Sequence, residues 1–293
     1  MVMTKDLRTH MVEPKNKLST LGLEWPELDP HYYLPQSSVD TVERWIKMAD
    51  DGRFVNALLM GHAGTGKTSL VRQVAAYTGR PYAFIPLGGV SEPRQFFGRT
   101  AFVQGVGTKF IPGLLMLAME VPNCLIHLDE INRVNDGSCT DPLHHMLDDS
   151  RAAFKYDDAD QIIHIASNVM FFATMNKGGE YTGTIDMDQA LYDRFDYLGM
   201  ERLPKSAAEK IVREKVGLDL ASITRIVGVG YDLEVGLRSV LKAAWHLKYG
   251  SSLKEALLAG FSVDLSKIEK ALGQETLRKK VPSVDKEVVK WPS

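Results

Sequence analysis

The sequence predicts an α/β fold: a parallel sheet flanked by helices and carrying hairpin inserts, followed by a small all-α lid domain. Three observations predict it. A glycine-rich loop stands between an apolar run, Val55–Met60, and a helical pattern beginning at Ser69. Short apolar runs then alternate with helical patterns to about residue 202, the rhythm of βαβ units. Beyond Pro204 only helical periodicity remains. Continuous runs such as Val169-Met170-Phe171-Phe172-Ala173 suit strands covered on both faces.

In chain order, residues 1–36 form an arm punctuated by Pro14, Pro26, Pro30 and Pro35, which either docks as extended chain or serves as a linker. The core is expected over 37–202. Its first helix runs Ser38–Ala49, with Ser38 as N-cap and Val39, Val42, Ile46 and Ala49 on one face. Strands follow at Tyr82–Pro86, Cys124–Asp129, Val169–Met175 and Tyr197–Met200, with helices at Lys67–Thr78, Gly113–Glu120 and Asp141–Asp148. Hairpins interrupt this rhythm at Thr100–Phe110 and at Arg151–Tyr156 with Gln161–Ile165. The lid, 203–268, holds helices at Ser206–Val216, Val235–Tyr249 and Ser252–Ala259, and 269–293, with Arg278-Lys279-Lys280, reads as a solvated tail.

A hydrophobic share of 44% with 25% charged residues is that of a folded globular protein. The net charge of −2 gives no broad attraction for nucleic acid. No apolar run approaches the roughly 18 residues that cross a bilayer. Met1–Glu13 lacks the apolar segment of a secretory signal. Cys124 and Cys139 imply no disulfide framework. A cytoplasmic protein without membrane contact is expected.

The loop Gly61-His62-Ala63-Gly64-Thr65-Gly66-Lys67-Thr68, with Ser69 behind it, fits G-x-x-x-x-G-K-[ST] at every fixed position. Glycines let backbone amides wrap phosphate oxygens, and the following helix adds its positive end. Lys67 is expected to reach the β- and γ-phosphates of ATP and Thr68 to ligate Mg²⁺. Only the backbone of His62 is needed. Cys124-Leu125-Ile126-His127-Leu128-Asp129-Glu130 is an apolar strand ending in two acids. Asp129 is read as the metal-side acid and Glu130 as the general base that polarises the attacking water. His127 reads as a packed or hydrogen-bonded histidine. One strand later, Asn176 ends Phe171–Asn176 with an amide able to sense the γ-phosphate or the water. His144 and His145 are adjacent on a helix and point apart, so no metal site is read there.

This ordered set resembles the AAA+ ATPases, and its detail resembles their MoxR branch over about residues 37–250. Asp129-Glu130-Ile131-Asn132-Arg133 is similar to the branch signature and Ala173-Thr174-Met175-Asn176 to its sensor-1 strand. Glu92–Gly98 resembles its insert in the second helix, and Leu143–Asp149 and Asp193-Arg194-Phe195 fit its spacing. The resemblance implies that Arg194 is an arginine finger acting on a neighbouring subunit's nucleotide. It also implies that Arg238 is sensor 2, with Arg133 and Arg151 as weaker inter-subunit candidates. The chain departs from the branch in lacking a proline beside Arg238 and in carrying His62 where proline is common.

A homo-hexameric ring is implied, acting on a client protein, in some branch members with a von Willebrand A-domain partner. The compact length is similar to the CbbQ, NorQ and CobS subgroup, which serves metalloenzyme activation or metal insertion. Either hairpin could grip the client through Phe102, Phe110, Phe154 and Tyr156, or those aromatics simply pack. The Asp-Glu-Ile-Asn-Arg run also occurs in DNA motors of phage or restriction systems, and Arg99 and Lys109 keep that alternative open. A nucleotide-dependent scaffold with negligible turnover is a third.

Overall fold

The computed structural model describes residues 22–134, 137–148, 153–156, 161–176, 187–275 and 288–292. It forms two compact units. One takes in Val42–Met60 and Thr68–Leu198 with the chain up to Leu28; the other takes in Asp29–Thr41, Gly61–Lys67 and Gly199 onward.

The first unit is built on a five-stranded sheet of β2 (Val55–Gly61), β3 (Tyr82–Pro86), β6 (Leu125–Asp129), β9 (Met170–Asn176) and β10 (Asp196–Gly199). Their spatial order is β10-β2-β9-β6-β3. Strand β6 pairs in parallel with β3 and β9, placing Phe84 and Phe172 on either side of His127. Side chains alternate along a strand, so this register divides the sheet into two faces. Ala83, Ile85, Ile126, Leu128, Phe171 and Ala173 turn to one face, in a buried core shared with Leu115, Met119, Leu143 and Leu147. Each fully buried Leu, Ile or Phe there contributes about 1.5–3 kcal/mol. Tyr82, Phe84, His127, Asp129 and Phe172 share the other face, and alternation carries Thr174 onto it as well.

The helices α1 (Gln36–Asp50), α2 (Lys67–Thr78), α3 (Leu114–Met119), α4 (Gly137–Met146) and α5 (Gln189–Tyr192) lie where helical periodicity places most of them. Helix α4 begins before its expected start at Asp141 because it tolerates Pro142 in its interior, a residue that sequence reasoning takes for a helix start. Strands β4 (Gly98–Val103) and β5 (Gly107–Pro112) form the first hairpin, and β7 (Ala153–Tyr156) and β8 (Gln161–His164) the second. At the tip of the first hairpin Phe102 is 78% exposed and Val106 70%. Tyr156, by contrast, is buried and stacks on Phe97 with ring centroids 5.0 Å apart, and Phe110 leans on Tyr156 at 6.2 Å. Tyr156 is thus a packing residue. Arg151 and the side chain of Phe154 lie outside the described residues.

The second unit packs α6 (Lys205–Val216), α7 (Leu220–Asp232), α8 (Leu237–Lys248), α9 (Leu253–Gly260) and α10 (Leu265–Glu275) around Val212, Ile223, Ile226, Val240, Ala244, Leu257, Phe261 and Ile268. Helix α7 escapes the pattern reading because Ile223–Tyr231 is rich in β-branched residues and glycine, poor helix formers taken alone. Packing overrides propensity there.

At the ends of the chain, one of the two readings of the arm holds and the reading of the tail does not. The arm docks: Glu24 exchanges both backbone hydrogen bonds with Tyr82, at 2.9 and 2.8 Å. The tail is not simply solvated. Helix α10 continues to Glu275, and β11 (Val288–Lys290) pairs antiparallel with β1 (Tyr33–Pro35), followed by a Trp291 that is 3% exposed. Local pattern cannot show this, because the partner strand is far away in sequence. Arg278-Lys279-Lys280 lies outside the described residues.

Candidate active site

The phosphate loop, Gly61–Lys67, belongs to the second unit. Gly64 and Gly66 have φ of +77° and +93°, a region that favours glycine and turns successive amides to one side. The Thr65 hydroxyl donates to the His62 carbonyl at 2.9 Å. Lys67 Nζ donates to the carbonyls of Gly61 and His62 at 2.8 and 2.9 Å, leaving the residue 8% exposed. His62, Ala63 and Gly64 are exposed. Behind the loop the buried Tyr32 donates its hydroxyl to the Gly66 carbonyl at 3.3 Å, and burial raises that phenol's pKa. The N-terminus of α8 abuts the loop so closely that a Cβ on Gly236 would sit 3.0 Å from Gly64 Cα. Arg238, in the first turn of α8, is exposed.

In the first unit, β6 and β9 deliver polar residues at their carboxyl ends. Asp129 Oδ1 accepts from the Thr174 hydroxyl at 2.5 Å and from the Thr68 hydroxyl at 3.5 Å, with His127 Nε2 at 3.4 Å. Burial raises the Asp129 pKa, but the hydrogen bonds from His127 and Thr174 outweigh it and hold the carboxyl below its ordinary value. The group is an anion at neutral pH. Thr174 also accepts the Glu130 backbone N–H, at 3.2 Å.

Glu130 adopts a left-handed backbone, φ 57° and ψ 47°, a strained conformation for a non-glycine residue. Its carboxylate is held from two sides, by Asn176 Nδ2 on Oε1 at 3.3 Å and Arg133 Nη1 on Oε2 at 3.3 Å. The backbone of Gly88 makes room for it: a Cβ there would lie 2.6 Å from Oε2. Asn132, 4% exposed, donates to the Asn176 carbonyl at 3.3 Å. Arg133 therefore meets Glu130 of its own chain. Arg194 is half-buried, with Nε on the His144 carbonyl at 3.0 Å and Nη1 on the Ala190 carbonyl. Ser69 is exposed at the start of α2.

The loop can hold a polyanion on amides and an ammonium. The hydroxyl and carboxylate oxygens of Thr68 and Asp129 suit Mg²⁺, a hard cation that takes one or two protein oxygens and completes its shell with phosphates and water. Among the described residues no group of three or more His, Cys, Asp or Glu offers a different metal site. Glu130, aligned from both sides, can accept a proton. Sequence reasoning missed Thr174, Gly88, Tyr82 and Tyr32 as parts of these arrangements. The only signal for Thr174 was its place two residues before Asn176, and a strand register is needed to use it.

The defining pattern of the AAA domain (dynein-related subfamily) matches residues 56–195. BssE of Thauera aromatica, a protein named as a candidate chaperone, is 35% identical over 255 residues, covering 84% of this chain and 88% of BssE. The Lon protease of Neorickettsia sennetsu is 31% identical over 147 residues, but that stretch is 17% of Lon. Among solved structures, a point mutant of Thermotoga maritima RuvB superposes with a TM-score of 0.56 at 12% identity, covering 87% of this chain and 75% of that one. At that identity the likeness concerns the fold.

Proposed function

Because the chain belongs to the AAA+ ATPases, we propose that it is a ring-forming ATPase that remodels or activates a partner protein, in the manner of the MoxR branch. In this reading loop amides and Lys67 hold the phosphates of ATP, and Thr68 and Asp129 hold Mg²⁺. The cation, when bound, neutralises charge developing on the phosphate oxygens. Glu130 aligns a water and takes its proton, Asn176 keeps the carboxylate and water in register, and Arg238 approaches the nucleotide from the lid. Arg194 serves the nucleotide of a neighbouring subunit, so turnover requires a homo-hexameric ring. A client protein, acting with or without a von Willebrand A-domain partner, is the object of the work, and metalloenzyme activation is the kind of task proposed.

The observation that carries the remodelling reading is the length of the match to BssE, 84% of this chain, well beyond the AAA domain pattern itself. The test is a Glu130→Gln protein incubated with ATP, so that the ring binds nucleotide and cannot cleave it. Recovery of a protein client that is retained in ATP, released in ADP and stimulates wild-type turnover is expected. Recovery of DNA alone, with salt-dependent stimulation of turnover by DNA, would instead establish the motor alternative through basic residues such as Arg99 and Lys109.

A further inference from the structure

His127 interrupts an otherwise apolar strand, Leu125-Ile126-His127-Leu128, and is 0% exposed. Burying an imidazole costs free energy unless its nitrogens are satisfied. Packing alone, between Phe84 and Phe172, would be served as well by leucine. The polar contacts of the ring run in one line. Nδ1 lies 2.7 Å from the Tyr82 hydroxyl, and Nε2 faces Asp129 Oδ1 at 3.4 Å. Nε2 has no hydrogen-bond partner of good geometry, and the Asp129 carboxylate is the charged group it faces.

The chemistry of this line fixes the tautomer. A proton on Nδ1 would leave a lone pair on Nε2 pointing at a carboxylate, which is repulsive. With the proton on Nε2, the ring turns its N–H toward the Asp129 carboxylate and accepts from Tyr82 at Nδ1. Tyr82 is itself pinned. Its backbone is bonded to Glu24 on both sides, and its ring lies 5.2 Å from the Arg72 guanidinium, which pairs with Glu24 at 2.8 Å. On Asp129 the contacts with His127, Thr174 and Thr68 all converge on Oδ1, and Oδ2 takes part in none of them. A carboxylate gripped by one oxygen presents the other in a fixed direction.

We propose that His127 is a positioning residue, which with Tyr82 orients the Asp129 carboxylate so that Oδ2 is presented to the divalent cation or its water. The inference rests on Asp129 being the metal-side acid. Removing such outer partners of a metal-side carboxylate weakens metal binding by about 10–100-fold.

Binding of Mn²⁺ to the full chain in excess ADP, followed by electron paramagnetic resonance, tests it beside ADP affinity measured in EDTA. Asp129→Asn should weaken Mn²⁺ binding, and if it does not, the metal-side assignment and this inference both fail. His127→Leu should weaken Mn²⁺ binding by about 10-fold or more with ADP affinity in EDTA unchanged. The double variant His127→Leu/Tyr82→Phe, which leaves no orphaned hydroxyl, should do the same and serves if the single variant folds poorly. His127→Gln, which keeps an N–H donor, should recover most of the loss. Loss in Asp129→Asn with wild-type Mn²⁺ affinity in His127→Leu overturns the inference alone. A parallel fall of Mn²⁺ and EDTA affinities also overturns it, since it marks a purely structural histidine.

Discussion

The phosphate loop and the acid end of β6 are built by opposite means for the ligand proposed above. The loop is made of backbone: two glycines in the left-handed region and one lysine held on the carbonyls of Gly61 and His62. The acid end is made of side chains, with Asp129 and Glu130 held by Thr174, His127, Asn176 and Arg133. A backbone site needs few particular side chains, so its sensitivity should concentrate in Lys67. A side-chain site spreads its sensitivity over every supporting residue.

The largest expected effect therefore belongs to the loop. Lys67→Ala should weaken ATP binding by about 10²–10⁴-fold, the loss of two charge-assisted hydrogen bonds at about 1.5–3 kcal/mol each, as read by calorimetry. His62→Ala, at an exposed position of the same loop, should leave affinity unchanged. A large loss there would break the comparison.

At the acid end, damage should appear without any change in the acids themselves. In Gly88→Ala the new Cβ would meet Glu130 Oε2 at 2.6 Å. The carboxylate must give way, and kcat should fall by about 10–100-fold, the scale of a displacement near 1 Å. ATP affinity should stay the same. Thr174→Val keeps shape but removes the bond to Asp129 and orphans the Glu130 N–H. It should cost about 1–3 kcal/mol of stability in urea denaturation, and turnover should fall with it.

These contrasts explain what the sequence could tell. Glycine spacing is a local property, so the loop was legible from eight consecutive residues. Asp129, Glu130 and Asn176 were legible as polar ends of apolar strands. Tyr82, His127 and Thr174 were not legible as one cluster, because only the register of β3, β6 and β9 brings them to one face. The fold class was readable for the same reason as the loop: apolar runs and helical periods are local. Helix α7 and strand β11 depend on distant partners and were missed.

The smallest expected effect lies in the second unit, at charged pairs that the nucleotide reading does not use. Asp29 pairs with Lys215, and Glu214 accepts from Tyr33 and His31. Burial raises both carboxyls, but these partners hold both below their ordinary values of 3.8 and 4.5. A folded pKa below the unfolded one contributes stability above the unfolded value, and that contribution is lost as pH falls through the folded value. The denaturation midpoint of this unit should drop modestly on acidification from about pH 5 to about pH 3, and Asp29→Asn/Glu214→Gln should flatten the drop.

The central claim is that one region binds and the other cuts. The most direct measurement of it sets ATP affinity beside turnover in Glu130→Gln. Affinity should remain at the wild-type level, because no loop residue has changed, while turnover should fall by about 10²–10⁴-fold, the usual weight of a general base. Turnover at the wild-type rate, or loss of affinity together with turnover, would contradict the account.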